Sequence, residues 1–225
     1  MIDNVKYKGN FHNGMKNGYG KLNNSISKNS YEGEWKDDMK NGQGKETYPD
    51  GSTYEGTFIK GKKEGKGKLY LLNGTIYEGS FKNDMIDGNG KIKWNNNTMC
   101  IGYWKNNVLS GFGKLYHEND IYVGYFDNDK KNGLGINFYF NSKSQVMGKW
   151  VDDSIEGLAI FASKNNQEMK FWEMQNKKIS YSYSKDEIET KVKNSEEFRR
   201  LKEFYICLKE AGEISTELGD YEMIF

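Results

Sequence analysis

The feature that most limits what this chain can become is a repeat of aromatic, glycine, aromatic and paired glycines, seen at Tyr54 to Lys68 as YEGTFIKGKKEGKGK. Seven copies begin at Tyr7, Tyr31, Tyr54, Tyr77, Cys100, Tyr122 and Val146, so the period runs 24, 23, 23, 23, 22 and 24 residues. The first of the paired glycines falls eleven residues after each start, at Gly18, Gly42, Gly65, Gly88, Gly111, Gly133 and Gly157. A period of this size marks an array in which each copy is one supersecondary unit that buries its face only against its neighbours.

Each copy opens with alternation, as in Tyr31-x-Gly33-x-Trp35, which is the period of a strand and puts tyrosine, glycine and the second aromatic on one face. Seven residues after each start stands Gly14, Asp38, Gly61, Asp84, Asn107, Asp129 or Asp153, residue types that tolerate left-handed backbone in a hairpin turn. A second strand with Gly-x-Gly follows, then another turn signal such as Pro49-Asp50-Gly51 or Asn73-Gly74. Each copy therefore reads as a β-hairpin, and seven copies predict about fourteen strands. Glycine inside a strand weakens it unless another group approaches the bare backbone. Aromatic rings are expected to lie on Gly42 and Gly44, Gly65 and Gly67, Gly88 and Gly90, and Gly111 and Gly113. Composition agrees: 15% aromatic residues and 26 glycines against only 36% hydrophobic residues suit rings on glycine backbone better than an aliphatic core.

The stretch YEGEWKDDMKNGQGKETYPDG, residues 31 to 51, resembles the MORN (membrane occupation and recognition nexus) repeat. The resemblance covers roughly residues 7 to 163 and departs where Cys100 and Val146 replace the first tyrosine and Ala159 replaces a second glycine. It implies a mainly β fold, an elongated single-layer antiparallel sheet with a groove, used as an interaction scaffold and in some members associated with membranes. Met169 to Glu173 reads as a degenerate eighth half-repeat, closing an array over 1–175. A linker is expected over 176–183, a helical segment over 184–211 and an acidic tail over 212–225.

The second face of the sheet changes along the array. One residue after each start the series is Lys8, Glu32, Glu55, Glu78, Ile101, Val123, Met147; fourteen after, it is Lys21, Lys45, Lys68, Lys91, Lys114, Ile136, Ile160. Two more positions of the same parity change from polar residues to Tyr103 and Tyr125, with copy seven returning to Lys149, and to Phe112, Leu134 and Leu158. Copies two to four thus present cross-strand Glu and Lys. Copies five to seven present an apolar patch of Ile101, Tyr103, Phe112, Val123, Tyr125, Leu134, Ile136, Met147, Leu158 and Ile160, and contiguous patches of this size mark an interface.

A candidate cover for the patch lies downstream. Ser184 with Glu187 fits a capping box, Asn194-Ser195 marks a break, and Gly212 a stop. Ile188, Val192, Phe198, Leu201, Phe204, Tyr205 and Leu208 fall mostly on one stripe of the helical segment. Two readings stay open: the helix docks on its own sheet, or it binds a second copy as a homodimer or another protein through a helix-in-groove contact.

Chemistry is sparse. His12 and His117 stand near no cysteine at metal spacing, and no carboxylate is singled out by an apolar setting, so neither catalytic nor metal residues are nominated and no cofactor is expected. Gly65-Lys66-Gly67-Lys68 lacks the spacing and terminal Ser or Thr of a phosphate loop. With 33 Lys plus Arg against 32 Asp plus Glu, no global charge calls for nucleic acid. Two distant cysteines, Cys100 and Cys207, suggest a reducing, intracellular setting. The expected place is the cytoplasm, with the cytoskeleton or the membrane periphery as the alternatives that the family resemblance brings. The leading expectation is a non-enzymatic scaffold. A row of Lys21, Lys45, Lys68, Lys91 and Lys114 offers a second, a peripheral membrane adaptor touching anionic lipid headgroups, although Glu32, Glu55 and Glu78 share its face. A third is the targeting part of a larger enzyme assembly.

Overall fold

The computed structural model describes residues 4–164 and 168–214. Among them sixteen strands form an open antiparallel sheet in which order in space equals order in sequence. Contacts divide the chain into two compact units, 1–108 and 109–225, taken here in turn.

The first unit holds β1 (Val5–His12), β2 (Met15–Asn24), β3 (Asn29–Lys36), β4 (Met39–Thr47) and β5 (Thr53–Ile59). It continues with β6 (Lys62–Tyr70), β7 (Ile76–Lys82), β8 (Met85–Lys93) and β9 (Met99–Lys105). Its hairpins turn on residue pairs with positive φ, such as Asp37-Asp38 at 48° and 64° and Asn83-Asp84 at 49° and 70°. That is the turn whose twist matches the flanking strands. The second turn residue has another task that its side-chain type encodes. Asp38 Oδ1 accepts the Lys16 N–H at 2.9 Å, while the Asp38 N–H donates to the Lys16 carbonyl at 3.1 Å, clamping one hairpin to the one before. Asp84 and Asn107 repeat the clamp on Lys63 and Ile86.

One face carries a herringbone of rings. Tyr54 meets Phe58 edge-on at 5.1 Å and Phe81, from the next hairpin, at 4.9 Å; Tyr31 and Tyr77 do the same with their neighbours. Each tyrosine hydroxyl then donates to a backbone carbonyl three residues on, Tyr54 to Thr57 at 3.2 Å. The two glycines of a pair turn out to have different reasons. A Cβ on Gly67 would lie 2.4 Å from the Tyr54 hydroxyl oxygen and 2.5 Å from its ring, so the second glycine is the bed of the tyrosine. The first, Gly65, has no ring on its Cβ side, where a Cβ would make only ordinary contact with Thr57 at 3.8 Å; it is needed for a φ of +68° at a bulge where the β5–β6 register shifts between Gly56 and Phe58. The expectation that a ring lies on both glycines is corrected accordingly at Gly42, Gly65, Gly88 and Gly111, which all have positive φ.

The second unit continues with β10 (Val108–Tyr116), β11 (Asp120–Asp127), β12 (Lys130–Tyr139), β13 (Ser144–Val151) and β14 (Ser154–Ser163). It ends with β15 (Glu168–Gln175), β16 (Lys178–Ser182), α1 (Lys185–Glu187), a π-helical turn (Ile188–Val192) and α2 (Glu196–Glu210). The half-repeat at Met169 to Glu173 is thus one strand of a complete eighth hairpin, and the expected linker 176–183 holds its second strand, β16. Glycine spacing hides this hairpin because it needs no tyrosine bed: β15 and β16 pair Trp172 with Ser182 and Met174 with Ile179. The seventh copy shows the same logic from the other side. Val146 replaces the tyrosine, no ring needs a bed, and Ala159 stands fully buried opposite Gly148.

The helical segment begins as its sequence reads. Ser184 accepts from the Glu187 N–H, and the Glu187 carboxylate accepts in return from the Ser184 N–H at 3.1 Å. Tyr181 also donates to that carboxylate, which is held down to a pKa of about 2 by the Tyr181 and Ser184 hydrogen bonds and the Lys191 ammonium. Ser195 restarts the helix by accepting the Phe198 N–H at 3.1 Å, and Gly212, at φ 67°, follows its end. Of the acidic tail, residues 215–225 lie outside the described residues.

Candidate functional site

Register converts the sequence series into rows. In the first unit, Lys21 faces Glu32, Glu32 faces Lys45, Lys45 faces Glu55, Glu55 faces Lys68, Lys68 faces Glu78 and Glu78 faces Lys91. The row alternates in sign, and ion pairs join Lys21 to Glu32 at 2.8 Å, Lys45 to Glu55 at 2.5 Å and Lys68 to Glu78 at 3.4 Å. The Lys21 ammonium holds Glu32 below the usual carboxylate range, and Glu55 raises Lys45. These side chains are about half exposed, so solvent screens the pairs and each adds little to stability. Lys91 faces Ile101 on its other side, and Tyr103 faces Asn89; both Ile101 and Tyr103 are 41% exposed and outside the apolar cluster of the second unit.

The same repeat positions in the second unit read Lys114, Val123, Ile136, Met147, Ile160 and Phe171, each facing the next across β10 to β15. Val123, Ile136, Met147, Ile160 and Phe171 are buried in a cluster with Leu158 and with Val192, Phe198, Leu201, Tyr205 and Leu208 of the helical segment. Phe112, Leu134, Ile188 and Phe204 are half-buried against it. Tyr125 stays 44% exposed beside Phe112 and Phe204, at ring distances of 5.7 and 6.2 Å. Burying a Val, Leu or Ile is worth about 1.5–3 kcal/mol, so this row outweighs the charged one several-fold.

Polar contacts pin the helix. The Glu197 carboxylate accepts the Leu158 N–H at 3.0 Å, and Lys114 pairs with Glu213 just beyond α2 at 2.8 Å. Phe198 packs near Phe171, rings 6.1 Å apart. Sequence reasoning missed Phe138 and Ala162, which extend the apolar parity two residues past Ile136 and Ile160, and Phe171, hidden in the unrecognised hairpin. It also missed Gln145. This residue lies in register between Phe138 and Ala162 with no exposure, and neither end of its amide has a hydrogen-bond partner.

On the aromatic face a further position, nine residues after the start, sets Lys16, Lys40, Lys63 and Lys131 over the rings. Lys131 is the extreme case, 4.7 Å from the Tyr122 and Trp150 centroids and donating to Asn137 at 3.1 Å; burial pushes its ammonium pKa down. Cation–π contact compensates part of that desolvation. Among the described residues no group of His, Cys, Asp and Glu is arranged to hold a metal ion.

Hairpins joined by tyrosine, glycine pair and bulge define a β-hairpin repeat array. The profile of the MORN repeat matches residues 7–23, 31–53, 54–76, 77–99, 100–120 and 122–136, more than half of the chain, and the chain belongs to that family. The array is a repeat scaffold of that kind. Its last two hairpins and its helical segment lie outside the matched stretches. No curated protein matches the chain. One similar solved structure is the TCP domain of SAS-4 (dCPAP) of Drosophila melanogaster in complex with a proline-rich motif of Ana2 (dSTIL), at 14% identity and a TM-score of 0.46. The match covers 76% of this chain and 90% of that one.

Proposed function

We propose that the chain is a non-enzymatic protein-interaction scaffold whose apolar face, from Phe112 of copy five to Phe171 of the eighth hairpin, is a seat for an amphipathic helix. At rest the seat is filled by the chain's own α2; when α2 leaves, a helix of a partner protein takes it. The observation that carries this reading is the change of one sheet row from alternating Lys and Glu to Val123, Ile136, Met147, Ile160 and Phe171. Without an occupant that strip faces water, which such a patch does not tolerate. Gln145 adds support. Its buried amide, in register with Phe138 and Ala162 of the apolar cluster, goes unpaired at a cost of about 1–3 kcal/mol, so a partner that brings it a hydrogen-bonding group gains over the chain's own helical segment.

A fluorescent peptide of residues 184–214, offered to the full chain and to a chain ending at 183, tests the reading. The shortened chain is expected to take up peptide at once, and the full chain slowly, at the rate at which α2 departs. Failure of both to bind, with the sheet intact by circular dichroism, overturns it.

A further inference from the structure

The glycine bulge sets an amide beside an acceptor in two different ways. In the second copy Gly42 has a φ of 96°, and the next amide, Gln43 N–H, donates to Glu34 Oε1 at 2.8 Å, a carboxylate of the facing strand in the same hairpin. In the seventh copy Gly157 has a φ of 78°, and the next amide, Leu158 N–H, donates to Glu197 Oε1 at 3.0 Å, a carboxylate of α2. The residue that stands where Glu34 does is Lys149, which has no acceptor to give. Both accepting oxygens lie over their glycines: a Cβ on Gly42 would be 2.8 Å from Glu34 Oε1, and one on Gly157 2.5 Å from Glu197 Oε1, with the Glu197 carboxyl carbon farther off at 3.4 Å against 2.6 Å for that of Glu34. Glu197 thus takes the place that the hairpin's own side chain has in the second copy.

We propose that the glycine bulge is a carboxylate-recognition site, which a hairpin either fills from its own strand or offers to a docked helix, and that Glu197 sets the register of the helix through it. The inference rests on the helix-seat reading above and names the ligand class of that seat. A fitting helix carries a glutamate directly before an apolar anchor in its first turn, as Glu197 precedes Phe198 behind the Ser195 cap. Position three of the repeat is then the selector: Glu34 closes its copy to a foreign carboxylate, and Lys149 leaves its copy open and adds a favourable charge.

The test is amide hydrogen exchange on the full chain and on three variants, Glu197→Ala, Lys149→Glu and the double variant. Amides of β5 to β8 serve as the control for folding. In Glu197→Ala, Leu158 and α2 are expected to exchange roughly tenfold faster, the loss of one charge-assisted hydrogen bond. Lys149→Glu supplies the carboxylate from the hairpin, so Leu158 stays protected while α2 exchanges roughly tenfold faster. The double variant keeps Leu158 protected and α2 fast. If α2 is unprotected in the parent chain, the seat reading fails. If α2 is protected in the parent and unchanged in both single variants, the carboxylate site alone is overturned.

Discussion

One row of the sheet in residues 1–108 is an alternation of half-exposed lysines and glutamates, and the same repeat positions in residues 109–214 are hydrocarbon sealed under α2. Both regions share the herringbone: Tyr122 meets Phe126 and Trp150, each at 5.2 Å, much as Tyr54 meets Phe58 and Phe81. They also share the clamp, with Asp129 on Leu109 and Asp153 on Lys131. The difference teaches that tyrosine bed, bulge and clamp specify the sheet from one face and its turns. The other face is then free to be solvated or to be covered by the chain's own helical segment.

The comparison breaks most sharply at Ile136. Ile136→Lys sets an unpaired ammonium in a fully buried position and is expected to cost about 4 kcal/mol or more. Chemical denaturation followed by tryptophan fluorescence should show early loss of the second unit, whereas Lys45→Ala, at the equivalent row position of the first, changes the unfolding free energy by less than about 1 kcal/mol. Gly67→Val strikes what the regions share. Its side chain has to enter the Tyr54 ring, and a loss of about 3 kcal/mol is expected in the melting curve. An unchanged melt would contradict the bed.

Gln145→Leu sharpens the contrast in the opposite direction. Replacing an unpaired buried amide by hydrocarbon is expected to raise stability by about 1–2 kcal/mol and to slow exchange of α2 amides. The smallest effect concerns acid. Since hydrogen bonds depress the Glu187 carboxyl from 4.5 to about 2, its support of the Ser184 cap is whole above pH 4.5 and is lost as pH falls towards about 2. Amide shifts of residues 184–187 should move together over that window, with a midpoint near 2.

The hairpin array was legible because the glycine spacing is strict and strand parity converts sequence into faces without further information. The apolar row was legible for the same reason, from Val123 to Ile160. The eighth hairpin was not, since a strand such as Lys178–Ser182, exposed throughout and without glycine, carries no periodic signal. Nor were the separate duties of Gly65 and Gly67, because spacing does not reveal which glycine takes a positive φ. Gln145 lies one residue before a repeat start and reads as part of a turn, and Glu197 reads as one more charge on a polar helix face. Gln145 acquires meaning only from its burial beside Phe138 and Ala162, and Glu197 only from its reach to Leu158.

One repeat row is thus open to water in one region and sealed by a helix in the other. Isoleucine methyl spectra of the full chain with a soluble paramagnetic agent test it in a single sample, because Ile101, 41% exposed, and Ile136 and Ile160, with no exposure, occupy equivalent row positions. The account predicts strong broadening of the Ile101 signals and sharp signals from Ile136 and Ile160. Equal broadening of all three would contradict it.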